Sequence, residues 1–191
     1  MTTIFDPIQL GSYTLKNRIF MAPMTRARSD ENGVPKAMVA QYYAQRASAG
    51  LIISEATAIN PQGDGWPGAP GIYTDEQQLG WKAVANAVHE KGGRIFMQIW
   101  HMGRTVLPEN LGGGNPISSS PIPAAGQIPN RAGVPTNFAV PEEMTLAQIS
   151  ETVKDFVVAA RRAIDAGIDG VEIHAGNNFL IDSFLRDGTN E

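Results

Sequence analysis

The sequence predicts an α/β fold built on parallel strands, and three observations carry that prediction. Short apolar runs alternate with longer helical segments in the order β-α-β-α-β-α-β. Two helical segments open on capping boxes, Thr74-Asp75-Glu76-Gln77 and Thr145-Leu146-Ala147-Gln148. The residues that follow the apolar runs are polar, and parallel α/β folds gather their ligand-binding groups at those strand ends. Strands separated by helices pair in parallel through right-handed crossovers. An open doubly wound sheet and a (β/α) barrel both satisfy the pattern.

The elements follow in order. Arg18-Ile19-Phe20-Met21-Ala22 reads as a buried strand ending at Pro23. Residues Ala37 to Ala49 have helical composition and stop at Gly50. Leu51-Ile52-Ile53-Ser54 is the second strand. The helix opened by Thr74 carries Trp81, Val84 and Val88 on one face and ends at Gly92-Gly93. Arg94 to Trp100 is the third strand. The segment 101–144 is rich in glycine and proline, so it is expected to be a functional, disordered or hairpin-containing loop. Behind Thr145, residues Ile149, Val153, Phe156, Val157, Ala160 and Ile164 recur at helical spacing until Gly167. Asp169 to His174 is the fourth strand, and helical sequence resumes from Phe179 to Leu185.

Composition narrows the function classes. The chain has 191 residues, 42% hydrophobic and 18% charged, so it can bury a core as one domain. A net charge of -4 without a basic stripe argues against nucleic acid and anionic membranes as partners. The absence of cysteine excludes disulfides and thiolate chemistry. No His/Glu pair has helix spacing suited to zinc, so no metal site is expected. There is no signal-like N-terminus and no bilayer-length apolar run, so the expected location is the cytoplasm.

The strand ends hold the candidate site. Pro23, Met24, Thr25 and Arg26 follow the first strand, and Glu55, Ala56 and Thr57 the second. Gln98, Trp100 and His101 close the third, and His174 closes the fourth with Asn177 three residues later. Alternation puts Gln98 and Trp100 on one side of their strand. A buried primary amide must find partners. Gln98 therefore has two readings, a glutamine satisfied by neighbouring backbone or one matched to a ligand edge that both donates and accepts. His174 also has two readings, a core histidine or, with Asn177, a donor pair that polarises a substrate oxygen. His89 reads as a surface residue near a helix end. Asp182, Arg186 and Asp187 read as a helix face and terminus. Trp66 and Tyr73 form no pattern, and Trp81 reads as packing.

Several segments together resemble the Old Yellow Enzyme family, in particular its bacterial ene-reductases of the N-ethylmaleimide reductase type. They are Leu15-Lys16-Asn17-Arg18-Ile19, Met21 to Arg26, Ser54-Glu55-Ala56-Thr57, Gln98 to Arg104, Ser119-Ser120-Pro121-Ile122, Gly170 to His174 and Phe184 to Asn190. The resemblance covers essentially the whole chain. It implies a (β/α)8 TIM barrel, of which 1–191 supplies about the first four βα units. It also implies noncovalent FMN, with NADPH or NADH as hydride donor, and reduction of the activated C=C bond of an α,β-unsaturated carbonyl or nitroalkene.

By the same resemblance, Pro23, Met24 and Thr25 line the flavin ring, Ala56 offers a backbone amide, and Gln98 bonds the pyrimidine edge. Trp100 shapes the substrate pocket, while His174 and Asn177 bind the substrate carbonyl oxygen. Two departures stand out. Phe179 occupies the place of the family's proton-donating tyrosine, and Asn178 that of the preceding glycine. Four βα units also make half of a fold of about 250 residues, and barrels frequently grip phosphate after strands seven and eight. The resemblance therefore implies a fragment or one partner of a split barrel. It carries two expectations, self-association or pairing with a complementary C-terminal half, and an isomerase-like or non-catalytic role as the alternative activity.

Overall fold

The structure is a computed structural model that describes all of residues 1–191. Four parallel strands form the central sheet: β1 (Phe20–Met21), β2 (Leu51–Ile53), β3 (Ile95–Trp100) and β4 (Gly170–Ile173). They lie in the sequential order β1-β2-β3-β4. Residues 57–58 prolong the β2 path and pair with Ile99 and Trp100. Three crossovers carry α1 (Ala37–Ala44), α2 (Asp75–Glu90) and α3 (Leu146–Asp165), and a short α4 (Leu180–Leu185) follows β4. Sequential order distinguishes the two candidate architectures. A doubly wound sheet reverses direction and carries helices on both faces, whereas here one apolar face meets all three crossover helices. The four units form part of a (β/α) barrel, and the sheet is not closed.

The core lies between that face and the helices. Ile52, Ile95, Met97 and Ile99 pack with Val39 and Tyr43 of α1, Trp81, Val84 and Val88 of α2, and Ala159 and Ala163 of α3. Both capping boxes form: Thr74 accepts from the Gln77 amide at 3.2 Å, and Thr145 from the Gln148 amide at 3.2 Å. Such caps satisfy helix-end donors that burial would otherwise strand.

Two elements differ from the sequence pattern, and segment 101–144 takes one of the forms expected of it. Helix α1 ends at Ala44, and hydrogen-bonded turns carry the chain on to Gly50. Gly50 is required by crowding: a Cβ there would stand 2.1 Å from the Asn17 carbonyl oxygen. On α3 the spacing marks the helix but not its buried face. Thr152, Ala159 and Ala163 are buried, while Val153, Val157 and Ile164 are exposed. Small residues let α3 approach the sheet closely with Phe156 packed beside them, while Val153, Val157 and Ile164 point past it. Segment 101–144 contains a hairpin, residues 127–129 against 135–137, and a short parallel pair, residues 117–118 with 142–143.

The strand N-termini are sealed by an N-terminal hairpin of residues 8–10 and 13–15. Tyr13 lies edge-on to Phe96 with ring centroids 6.2 Å apart, and its hydroxyl donates to the Asp169 carbonyl at 2.9 Å. The Asp169 carboxylate accepts from Arg94 at 2.6 Å and from the Ile95 amide at 2.9 Å. It also meets His89 Nε2 at 2.8 Å. His89 is thus tied to the base of β4 and is not simply a surface residue near a helix end. No helix is long and apolar enough to cross a membrane.

Candidate active site

The face of the sheet turned away from the helices carries the polar residues, in layers set by strand register. Phe96 and Gly170 pair at the bottom, and a Cβ on Gly170 would collide with the Phe96 ring at 2.7 Å. One layer higher, Gln98 stands opposite Glu172. Above that, Trp100, His174 and Phe179 form a triad of rings. Phe179 is edge-on to both others, with centroids 4.8 Å from Trp100 and 4.8 Å from His174. Trp100 and His174 are stacked at 6.3 Å.

Gln98 is not satisfied by neighbouring backbone through its side chain. Its Nε2 donates to Glu172 Oε1 at 2.7 Å, so a side-chain carboxylate is its partner. One N–H and the Oε1 acceptor of the amide remain for another group. Glu172 is the residue that sequence reasoning missed here. Its signal was positional: two residues before His174, it shares that histidine's face.

His174 accepts a hydrogen bond from the Gly176 amide on Nδ1 at 3.3 Å. A neutral ring that accepts on Nδ1 carries its proton on Nε2. Burial lowers the pKa of the ring, with Glu172 and Asp182 opposing. The neutral, Nε2-protonated form is therefore favoured near pH 7, and that N–H is available to an oxygen. Asn177 lies on a left-handed turn, φ 60°, followed by Asn178 at φ 63°. Asparagine tolerates that region better than most residues. Asn177 is exposed and makes no side-chain hydrogen bond to His174.

Ala56 joins the same region by packing in one cluster with Trp100, Met102 and Phe179. It is 4% exposed, and its backbone N–H makes no hydrogen bond within the chain. A buried amide without a partner is uncommon and suits a ligand acceptor. Tyr73 also packs against this cluster, so its place in the sequence was more informative than it looked.

Pro23, Met24 and Thr25 are held more loosely. Met24 is exposed and lines a surface hollow with Ile19 and Arg46, apart from the ring triad. Their loop is anchored by Glu55, whose Oε2 accepts from the Arg26 amide at 2.8 Å. Tyr43 completes the anchor, accepting from the Glu55 amide at 2.7 Å and donating to its Oε1 at 3.3 Å. Burial raises the Glu55 pKa, and these donors counter the shift. His101 turns the other way, lining a hollow with Asn60, Thr152 and Asp155. Asp182 accepts from the Asn178 amide at 2.7 Å and pairs with Arg186 at 2.9 Å, which is a helix-end role. Trp81 is fully buried packing.

The arrangement offers an amide edge, a free backbone donor and an imidazole N–H above one sheet face. Comparison with known proteins gives the same direction. The profile of the NADH:flavin oxidoreductase / NADH oxidase family matches residues 3–191. The chain is 46% identical over 192 residues to flavin oxidoreductase hxnT of Emericella nidulans, covering 98% of this chain and 49% of that protein. It is 44% identical to 12-oxophytodienoate reductase 7 of Oryza sativa, covering 98% and 48%. An old yellow enzyme homologue from Zymomonas mobilis superimposes with a TM-score of 0.95 at 48% identity, over all of this chain and 53% of that one. Morphinone reductase in complex with tetrahydroNAD superimposes at 0.94 with 44% identity, over 100% and 54%. The chain spans about half the length of the relatives it matches.

Proposed function

The chain belongs to the NADH:flavin oxidoreductase / NADH oxidase family, which includes the Old Yellow Enzymes, and on that premise we propose that it contributes the FMN-edge and substrate-oxygen half of an ene-reductase site. The observation that carries the reading is the Gln98 amide beside the unbonded Ala56 N–H. Together they supply donors and an acceptor on neighbouring strand segments, since Thr57, next to Ala56, pairs with Ile99, next to Gln98. A flavin's pyrimidine edge presents both donor and acceptor groups, so these residues fit it. Thr25, with Pro23 and Met24, would complete the ring's surroundings. FMN supplies hydride transfer when bound, with NADPH or NADH as the source.

The rest of the chemistry falls to side chains. The His174 Nε2–H, with the Asn177 amide, would bind the oxygen of an enone or nitroalkene. These donors stabilise charge that accumulates on that oxygen as the alkene is reduced. Trp100 and Phe179 would set the width of the pocket. Further βα units, from a complementary C-terminal half or a second copy of this chain, would cover the outer edges of β1 and β4.

The test is direct. FMN titrated into the purified chain should bind saturably, and the loaded protein should oxidise NADPH or NADH in the presence of an enone. A chain that elutes colourless after mixing with FMN and desalting removes the flavin role from these residues.

A second reading rests on Phe179, which sits between Trp100 and His174 and has no transferable proton. Protonation of the product enolate then falls to water, which slows net reduction and leaves isomerisation, a proton moved within the substrate with no net electron transfer, as the alternative activity. Losing a positioned acid typically costs about 100- to 10,000-fold in the step it serves. Phe179→Tyr is expected to raise net alkene reduction, and an unchanged rate would sink this reading.

A further inference from the structure

We propose that Glu172 is a positioning residue that fixes the polarity of the Gln98 amide, an inference that rests on the flavin-edge reading of Gln98. The two residues are cross-strand partners on β3 and β4, so register alone brings their side chains together. The contact is 2.7 Å from Gln98 Nε2 to Glu172 Oε1. An ionised carboxylate only accepts, so the atom facing it must be the amide nitrogen. The two ends of a primary amide are nearly the same shape, and sterics alone would let the group turn over. Turned over, it would offer a second acceptor where a ligand needs a donor. Glu172 forbids that orientation by charge.

The consequence extends beyond geometry. Gln98 is 7% exposed, so its amide has little water to reorient in. Glu172 enters no ion pair with a lysine or arginine of the chain. Its negative charge therefore stands uncompensated one side chain away from the group that Gln98 holds. Charge of that sign opposes the addition of electrons to a bound flavin. Glu172 thus orients the edge contact and holds the reduced state down at once.

Two variants of the 191-residue chain test this, Glu172→Ala and Glu172→Gln. Without cofactor, side-chain amide NMR of the unmodified chain should show one Gln98 Nε2 proton shifted downfield and slow to exchange. Glu172→Ala should return it to the free-amide position, and a resonance that stays in place overturns the proposal. If Glu172→Ala does not fold, Glu172→Gln keeps the size but replaces the charged acceptor with a neutral amide that can pair either way round. The Gln98 resonance should then move part of the way to the free-amide position and exchange faster, and an unmoved resonance overturns the proposal. With FMN, Glu172→Gln should raise the ratio of affinities for reduced over oxidised flavin about tenfold, equivalent to about 30 mV for a two-electron couple. An unchanged midpoint potential also overturns the proposal. A wild-type chain that takes up no FMN defeats the flavin reading instead, and the cofactor-free NMR then decides the positioning role alone.

Discussion

Alternate residues of β3 sit in two different chemistries. Ile95, Met97 and Ile99 point to the helices and are essentially inaccessible to water, while Phe96, Gln98 and Trp100 point to the other face. The first set is interchangeable in kind, since any well-fitting apolar side chains would hold the helices down. The second set is specific, because each member answers a particular neighbour: Gly170, Glu172, and the rings of His174 and Phe179. One strand therefore keeps stability and chemistry apart by the two-residue period of its side chains. Substitutions on the helix face should change how much protein is folded, and substitutions on the other face what the folded protein does.

The largest expected effect lies on the helix face. Trp81 is fully buried, and its Nε1 donates to the Gly71 carbonyl at 3.1 Å. Trp81→Ala should cost about 3–5 kcal/mol of stability, read as a lowered urea midpoint, while FMN affinity per folded molecule stays constant. An FMN defect in the folded fraction would break the separation of faces. The next effect lies opposite. His174→Ala should lower turnover about 100- to 1,000-fold, the usual cost of an oxyanion donor, with little change in the urea midpoint. Full turnover in that variant would remove His174 from the proposed site.

The smallest effect sharpens the boundary between the faces. His101 follows Trp100 yet turns to the helix side, where burial pushes its pKa down to about 3. The unfolded chain binds a proton on this ring below about pH 6.5 and the folded chain does not. Its contribution is therefore intact above pH 6.5 and is lost progressively as pH falls toward the folded value. Acidifying from pH 6.5 to 5 should cost about 2 kcal/mol. His101→Asn, which can still accept from the Gly103 amide, should flatten that part of the stability curve. Equal slopes for the two proteins would assign the acid sensitivity elsewhere.

Much of this was legible before any coordinates. The capping boxes marked two helix starts because a threonine three residues before a glutamine states its geometry locally. Gln98 and His174 stood out as polar groups at the ends of apolar strands. What stayed hidden was non-local. Glu172 looked like one polar residue inside a strand until register set it opposite Gln98, 74 positions away. Tyr73 belonged to no pattern until folding packed it against the cluster that contains Trp100. The α3 pattern misled about its buried face, because periodicity reports that a helix is amphipathic and not which neighbours it meets. The alternation of elements left the barrel and the open sheet undecided; the family resemblance implied the barrel, and the sequential strand order of the assembled sheet agrees with it.

Asp169 carries a consequence for how the chain reaches this state. Its backbone and side chain bind Tyr13, His89 and Arg94, at separations of 156, 80 and 75 residues. Synthesis proceeds from the N-terminus, so the first three strands leave the ribosome before Asp169 exists. Until it arrives, Arg94 and the Ile95 amide lack their acceptor, and the hairpin bearing Tyr13 has no anchor at the base of β4. Long-range contacts of this kind form slowly. The bottom of the sheet thus stays open until the fourth strand is made, and it closes on a residue the nascent chain must wait for.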